Sequence, residues 1–210
     1  MDIPLPVKGG ILEGDLHVPK DAVGIVLFAH GSGSSRHSPR NKMVADELQK
    51  GGHATLLFDL LTKEEEEIDN QTRELRFDID LLTSRLVEVT QLIQKNEQAK
   101  GLKTGYFGAS TGAAAALKAA AELGQKVSAV VSRGGRPDLA GASLTKVVAP
   151  TLLIVGSLDT QVITLNEEAF AQLGCEKKLE LIEGASHLFE EGGTLVQVAH
   201  LAEKWFSKYF

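Results

Sequence analysis

The chain has one cysteine in 210 residues, Cys175, so it cannot form an intrachain disulfide, and a reducing compartment is implied. It has no excess of basic residues. A formal net charge of -6 argues against non-specific binding to nucleic acid or to an anionic membrane, since both need basic surface. It has no apolar run near the ~18 residues that span a bilayer. The opening M-D-I-P-L-P-V-K lacks the basic start and apolar stretch of a signal peptide. Internal repeats and Pro/Gly/Ser linkers are also missing. A single domain over residues 1–210, cytoplasmic, is therefore expected.

What is present is an alternation. After two extended segments, 3–7 and 10–18, short aliphatic runs occur at 24–30, 53–59, 103–107, 127–132, 151–156 and 178–182. They show no polar alternation, as befits parallel strands covered on both faces. Between them lie helical patterns. Leu75, Ile79, Leu82, Leu86, Val89 and Ile93 make one stripe, which suits packing on a sheet better than a coiled coil. Leu195, Val198, Ala199, Ala202, Trp205, Phe206 and Tyr209 make another. The pattern predicts an α/β fold, a mostly parallel central sheet flanked by helices on both faces. The run E-E-E-E at 64–67 reads as a solvated loop or helix start, because adjacent carboxylates without further ligands make a poor metal cage.

The strand at 103–107 leads into G-A-S-T-G, residues 108–112, and then an alanine-rich helix. This is G-x-S-x-G in its strand-to-helix context, where glycines two before and two after the serine let backbone pass close by. A serine acting only as a helix cap needs neither glycine. Ser110 as nucleophile requires a base and an orienting acid, in the chain order Ser, Asp, His at the carboxyl edge of the sheet. Asp159 stands three residues past the strand ending at Gly156, and His187 five past the strand ending at Ile182. Asp138 is the reserve acid. His37 lies upstream of the serine, His17 and His53 at strands, and His200 in the last helix.

Two backbone N–H groups are expected to hold the negative oxygen of a tetrahedral intermediate, those of Thr111 and of Ser32 in A-H-G-S-G-S-S-R-H. That loop is not a phosphate cradle, for it lacks the Walker lysine and the third glycine of a dinucleotide turn. Arginines gather at the same edge: Arg36 and Arg40 in this loop, Arg133 and Arg136 in S-R-G-G-R-P-D. Either they pair with neighbouring acids, Asp138 being an obvious partner for Arg136, or one of them, Arg36 or Arg133, holds an anionic group of a substrate.

F-A-H-G-S-G-S-S-R-H-S-P-R-N, G-A-S-T-G, S-R-G-G-R-P-D, G-S-L-D and G-A-S-H together resemble the dienelactone hydrolase-like branch of the α/β-hydrolases across nearly the whole chain. The first and third also resemble a hydrolase domain sometimes joined to phosphoribosyltransferases. Dienelactone hydrolases proper use a cysteine nucleophile, and here the position is Ser110, so the resemblance implies the fold and the triad but not the dienelactone substrate. Serine-bearing members are mostly assigned as esterases or as hydrolases of unknown substrate. The expectation is a carboxylesterase acting on small soluble esters, with no metal or organic cofactor. Thioester cleavage, acyl transfer, or a non-catalytic binding role on this fold are the alternatives. The base must be neutral, so activity should fall below about pH 6.5. The link 133–150, where many α/β-hydrolases insert a cap, holds one short helix at most, which predicts an open site without a lid domain.

Overall fold

A computed structural model describes all 210 residues. Eight strands form one sheet in the order β1-β2-β4-β3-β5-β6-β7-β8. They span Asp2–Val7 (β1), Gly10–His17 (β2), Gly24–Ala29 (β3), Ala54–Phe58 (β4), Lys103–Ala109 (β5), Val127–Arg133 (β6), Thr151–Gly156 (β7) and Lys177–Ile182 (β8). β1 and β2 pair antiparallel, β2 joins β4 antiparallel, and every other pairing is parallel. The helices are Pro39–Lys50 (α1), Lys63–Thr72 (α2), Ile79–Ile93 (α3), Thr111–Leu123 (α4), Thr160–Gln172 (α5) and Thr194–Tyr209 (α6), with short 3-10 turns including Leu75–Phe77 and Pro137–Lys146. No helix is long and apolar enough to cross a membrane.

β3, β4 and β7 are buried at every position, and this is why their runs lack alternation. Two apolar layers result. One joins the sheet to α3, α4 and α5 through residues such as Leu27, Leu86, Leu117 and Ala169. The other joins it to α1 and α6 through Val26, Phe28, Leu48, Val198 and Phe206. α3 lies on the sheet rather than waiting for a partner helix: Thr90 Oγ1 meets the buried Tyr106 hydroxyl at 2.7 Å. Burial pushes the Tyr106 phenol well above its usual range, so it stays neutral.

Three expectations shift. The stripe beginning at Leu75 is not one helix, because Asp78 caps a fresh start by accepting from the Leu81 N–H, at 3.0 Å. β8 is not covered on both faces; as the edge strand it leaves Leu181 exposed. The strand before the serine runs on to Ala109. The chain after β6 carries only the turn 137–146, as expected, but the connection between β4 and α3 builds α2 above the carboxyl edge.

Candidate active site

Ser110 follows β5 with φ 49° and ψ -120°, a conformation that costs a non-glycine residue on the order of 1–3 kcal/mol. The flanking glycines explain how the turn is tolerated. A Cβ on Gly112 would lie 2.1 Å from the Ala29 carbonyl oxygen, and one on Gly108 would lie 2.5 Å from the Ala113 Cα. Only glycine lets α4 leave the sheet at this angle. Ser110 holds the N-cap position of α4 yet makes no capping hydrogen bond, so its hydroxyl is not part of the helix start.

Asp159 occupies the corresponding place before α5, and its carboxylate makes no capping bond either. Instead His187 Nδ1 donates to Asp159 Oδ2 across 2.6 Å. This fixes the ring tautomer and leaves Nε2 as the free acceptor. Asp159 is the more enclosed partner, its side chain 16% exposed against 39% for His187. Ser110 is tied into the same edge through its backbone: its N–H donates to the Arg133 carbonyl and its own carbonyl accepts from the Arg136 N–H, at 3.3 and 3.0 Å. Gly134, between those two residues, lies under the histidine; a Cβ there would come within 3.1 Å of the His187 carbonyl oxygen. The three residues thus share one edge, with Asp159 and His187 joined directly. No hydrogen bond links the ring to Ser110. Asp138 is engaged elsewhere, accepting two bonds from Arg136 at 2.9 and 2.8 Å.

The loop after β3 abuts the serine: a Cβ on Gly31 would touch the Ser110 Cβ at 3.0 Å. The Ser32 N–H points to the start of α4, where it donates to Thr111 Oγ1 at 3.0 Å. Thr111 is the first residue of α4, so its own N–H has no intrahelical acceptor. Sequence reasoning passed over His30, which anchors this loop. Its Nδ1–H donates to the Gly31 carbonyl at 3.0 Å, and its Nε2 accepts the Leu60 N–H at 3.3 Å. Burial pushes the His30 pKa down, only partly opposed by the bond to Gly31, so the ring is neutral and both bonds stand. The single signal was its place at the strand end, immediately before the loop glycines.

Arg36 pairs with Asp59 and with Glu13, taking the structural role that the sequence left open for it. These contacts tie the loop to β2 and β4. α2 is held similarly: Glu65 completes a capping box with Thr62 and pairs with Arg85, and Asp69 pairs with Arg76. Between α2 and the loop is a cavity of about 520 Å³, lined among others by Ser32, Ser35, Arg40, Asp59, Asp69 and Arg76. It reaches the candidate site at Gly31 and Ser32, while Ser110 and His187 do not line it. Nowhere do three or more histidine, cysteine or acidic side chains cluster as metal ligands.

The model of the dienelactone hydrolase family matches residues 12–209. The chain belongs to that family. A crystallised dienelactone hydrolase of Anabaena variabilis is 59% identical, superposes with a TM-score of 0.98, and matches over 100% of this chain and 97% of its own. Est1E of Butyrivibrio proteoclasticus shares the fold at 15% identity and a TM-score of 0.82, over 99% and 98% of the two chains. A Mycobacterium tuberculosis protein, provisionally named a phosphoribosyl transferase, is 57% identical over 203 residues. That match covers 97% of this chain and 44% of the relative, so the chain spans about half the length of the curated relatives it matches.

Proposed function

We propose that this chain is a serine hydrolase that cleaves carboxylic esters, with Ser110 as nucleophile, His187 as base and Asp159 as the group that orients the ring. The observation that carries this reading is the 2.6 Å bond between His187 and Asp159, beside a serine held in a strained turn with an uncommitted hydroxyl. Strain kept at one half-buried serine, with a correctly tautomerised imidazole on the same edge, suits nucleophilic catalysis and has no use in a helix cap.

In the first half-reaction Ser110 Oγ attacks the ester carbonyl carbon, and His187 Nε2 takes the hydroxyl proton. The imidazolium is stabilised by Asp159 and then protonates the departing alkoxide, so the alcohol leaves and an acyl-serine remains. In the second, water gives its proton to the same nitrogen while its oxygen attacks the acyl carbon. Collapse returns the proton to Ser110 and releases the acid. The negative oxygen of each tetrahedral intermediate is held by the Thr111 and Ser32 N–H groups. Since the Ser32 N–H is engaged by Thr111 Oγ1 at 3.0 Å, the Thr111 side chain turns aside as the oxyanion takes its place.

A fluorophosphonate probe tests the proposal: it should label the wild type and leave Ser110→Ala unlabelled. Equal labelling of both would end it, and a chain that is never labelled would be a binding protein on this fold. An ester, its matched thioester and an added alcohol acceptor then separate hydrolysis of esters from thioester cleavage and acyl transfer. The phosphoribosyl transferase name belongs to proteins of which this chain matches 44%.

A further inference from the structure

The arginines of the carboxyl edge differ in one respect. Arg36 meets Asp59 and Glu13, Arg76 meets Asp69, Arg136 meets Asp138, and Arg40 meets Glu190 at 3.3 Å. Arg133 meets no acid. It is only 7% exposed, and its Nε and Nη1 are buried without an acceptor. Its guanidinium carbon stands 5.9 Å over the Phe189 ring, and the charge that acts on it is a like one, Arg40. Burial first, and Arg40 second, push its pKa down to about 10, which still leaves it charged at neutral pH.

A buried charge without a partner is among the costlier features a fold can keep. Its position argues for a use. Arg133 is the last residue of β6, in register with Ala109 on β5, and its carbonyl accepts the Ser110 N–H. Arg40 is the second residue of α1, a helix with no acid in its first turn, and it lines the cavity beside the loop of Ser32. Phe189, over which Arg133 lies, is two residues past His187 and has a left-handed φ of 57°. The 186–192 loop and the α1 start thus bring a buried cation, a second cation and a helix N-terminus to the flank of the serine. Arg40 is partly balanced by Glu190, so the cluster lacks one negative charge.

We propose that Arg133, with Arg40 and the first turn of α1, forms an anion subsite beside Ser110, and that the ester cleaved here carries an anionic oxygen group seated on it. The substrate half of this statement rests on the esterase reading; the site itself does not. A planar carboxylate and a phosphate both match the guanidinium fork.

Two measurements test it. The first is binding: the melting temperature of Ser110→Ala is followed against inorganic phosphate and against acetate at constant ionic strength. A saturable rise is expected with at least one of them. In the Arg133→Met variant the starting melting temperature should be equal or higher, because a buried unpaired charge is gone, and the rise should vanish. The second is specificity: kcat/KM for a hemiester with a free carboxylate, for a phosphate-bearing ester, and for the neutral ester of matched size. The better of the two charged esters should beat the neutral one by about tenfold or more in the wild type, and the ratio should fall towards one in Arg133→Met. Which charged ester wins tells carboxylate from phosphate. If Arg133→Met does not fold, Arg40→Met should lower both the ratio and the anion affinity. A saturable rise that Arg133→Met abolishes, in a chain that cleaves no ester, leaves the site standing and removes the esterase reading. Equal rates on charged and neutral esters, with no melting response to either anion, overturn the proposal.

Discussion

Five helices of this protein begin at a serine, threonine or aspartate, and they fall into two groups. Ser38, Thr62 and Asp78 accept a hydrogen bond from the third residue of α1, α2 and α3, at 3.4, 3.2 and 3.0 Å. Ser110 and Asp159 stand in the same position before α4 and α5 and accept nothing from their helices. The first group settles orphan N–H donors, which is the ordinary reason for such residues at a helix start. The second leaves those donors without a side-chain cap, and Asp159 instead meets His187 directly. Residue type and helix position are shared, so under the proposed mechanism the contrast separates stability from chemistry at otherwise similar sites.

The largest effect expected is on turnover. Ser110→Ala and His187→Ala should each lower kcat by on the order of 10³ or more, and the double variant should lose little beyond either single one. Asp159→Asn should cost somewhat less, since the ring keeps a neighbour while its tautomer is no longer enforced. Steady-state kinetics on a small ester decide this, and near-normal turnover in Asp159→Asn together with loss in Asp138→Asn would move the acid role to Asp138. The same Ser110→Ala variant should unfold within about 0.5 kcal/mol of the wild type, because no capping bond is lost.

The contrast is sharpened by reversing the readout. Thr62→Ala and Asp78→Ala should each cost about 1 kcal/mol of unfolding free energy, with Thr62 the worse because its capping box with Glu65 and the Glu65–Arg85 pair fail together. Denaturant titration measures it. If Ser110→Ala cost as much as these, its hydroxyl would be a cap after all and the distinction would collapse.

Much of this contrast was readable from the chain, for definite reasons. The buried strands betray themselves by unbroken aliphatic runs, and their carboxyl ends locate Ser110, Asp159 and His187 by position alone. β8 misled because an edge strand facing water on one side can still read K-L-E-L-I. The wall over the cavity was legible only in part, as the helix start that E-E-E-E at 64–67 allowed, and for a different reason. α2 buries a single residue, Asp69, so it has no apolar stripe to give a 3.6-residue period. It is built from a capping box and ion pairs, and these have no periodic signature. The arginines show the same limit. Arg36 and Arg133 look alike in sequence, yet Arg36 meets Glu13 and Asp59, each 23 positions away, while Arg133 meets none. Charge balance of that kind is decided by strand order.

The smallest effect concerns the segment that joins the strand β3 to the first capped helix. His30 begins it and His53 stands just before β4, and burial holds both pKa values below the ordinary 6.5, against the opposing pull of the Gly31 carbonyl and of Glu203 respectively. Between the ordinary value and the lowered one, the unfolded chain takes up a proton at each histidine and the folded chain does not. Stability is therefore complete above about pH 6.5 and declines as the pH falls below it. Each ring should contribute under about 1 kcal/mol at pH 6, less than a lost cap. Denaturant curves from pH 7.5 to 5.5 should show the decline in the wild type, a shallower one in His30→Asn, and a flatter one still in His30→Asn combined with His53→Gln. At pH 7.5, where no proton is exchanged, the His30→Asn protein should still turn over more slowly than wild type, because the Gly31 and Leu60 bonds that set the Ser32 N–H are weakened. A wild-type stability that stays level to pH 5.5 would mean that both rings accept their protons without loss of the folded state, and His30 would then be no anchor of the loop.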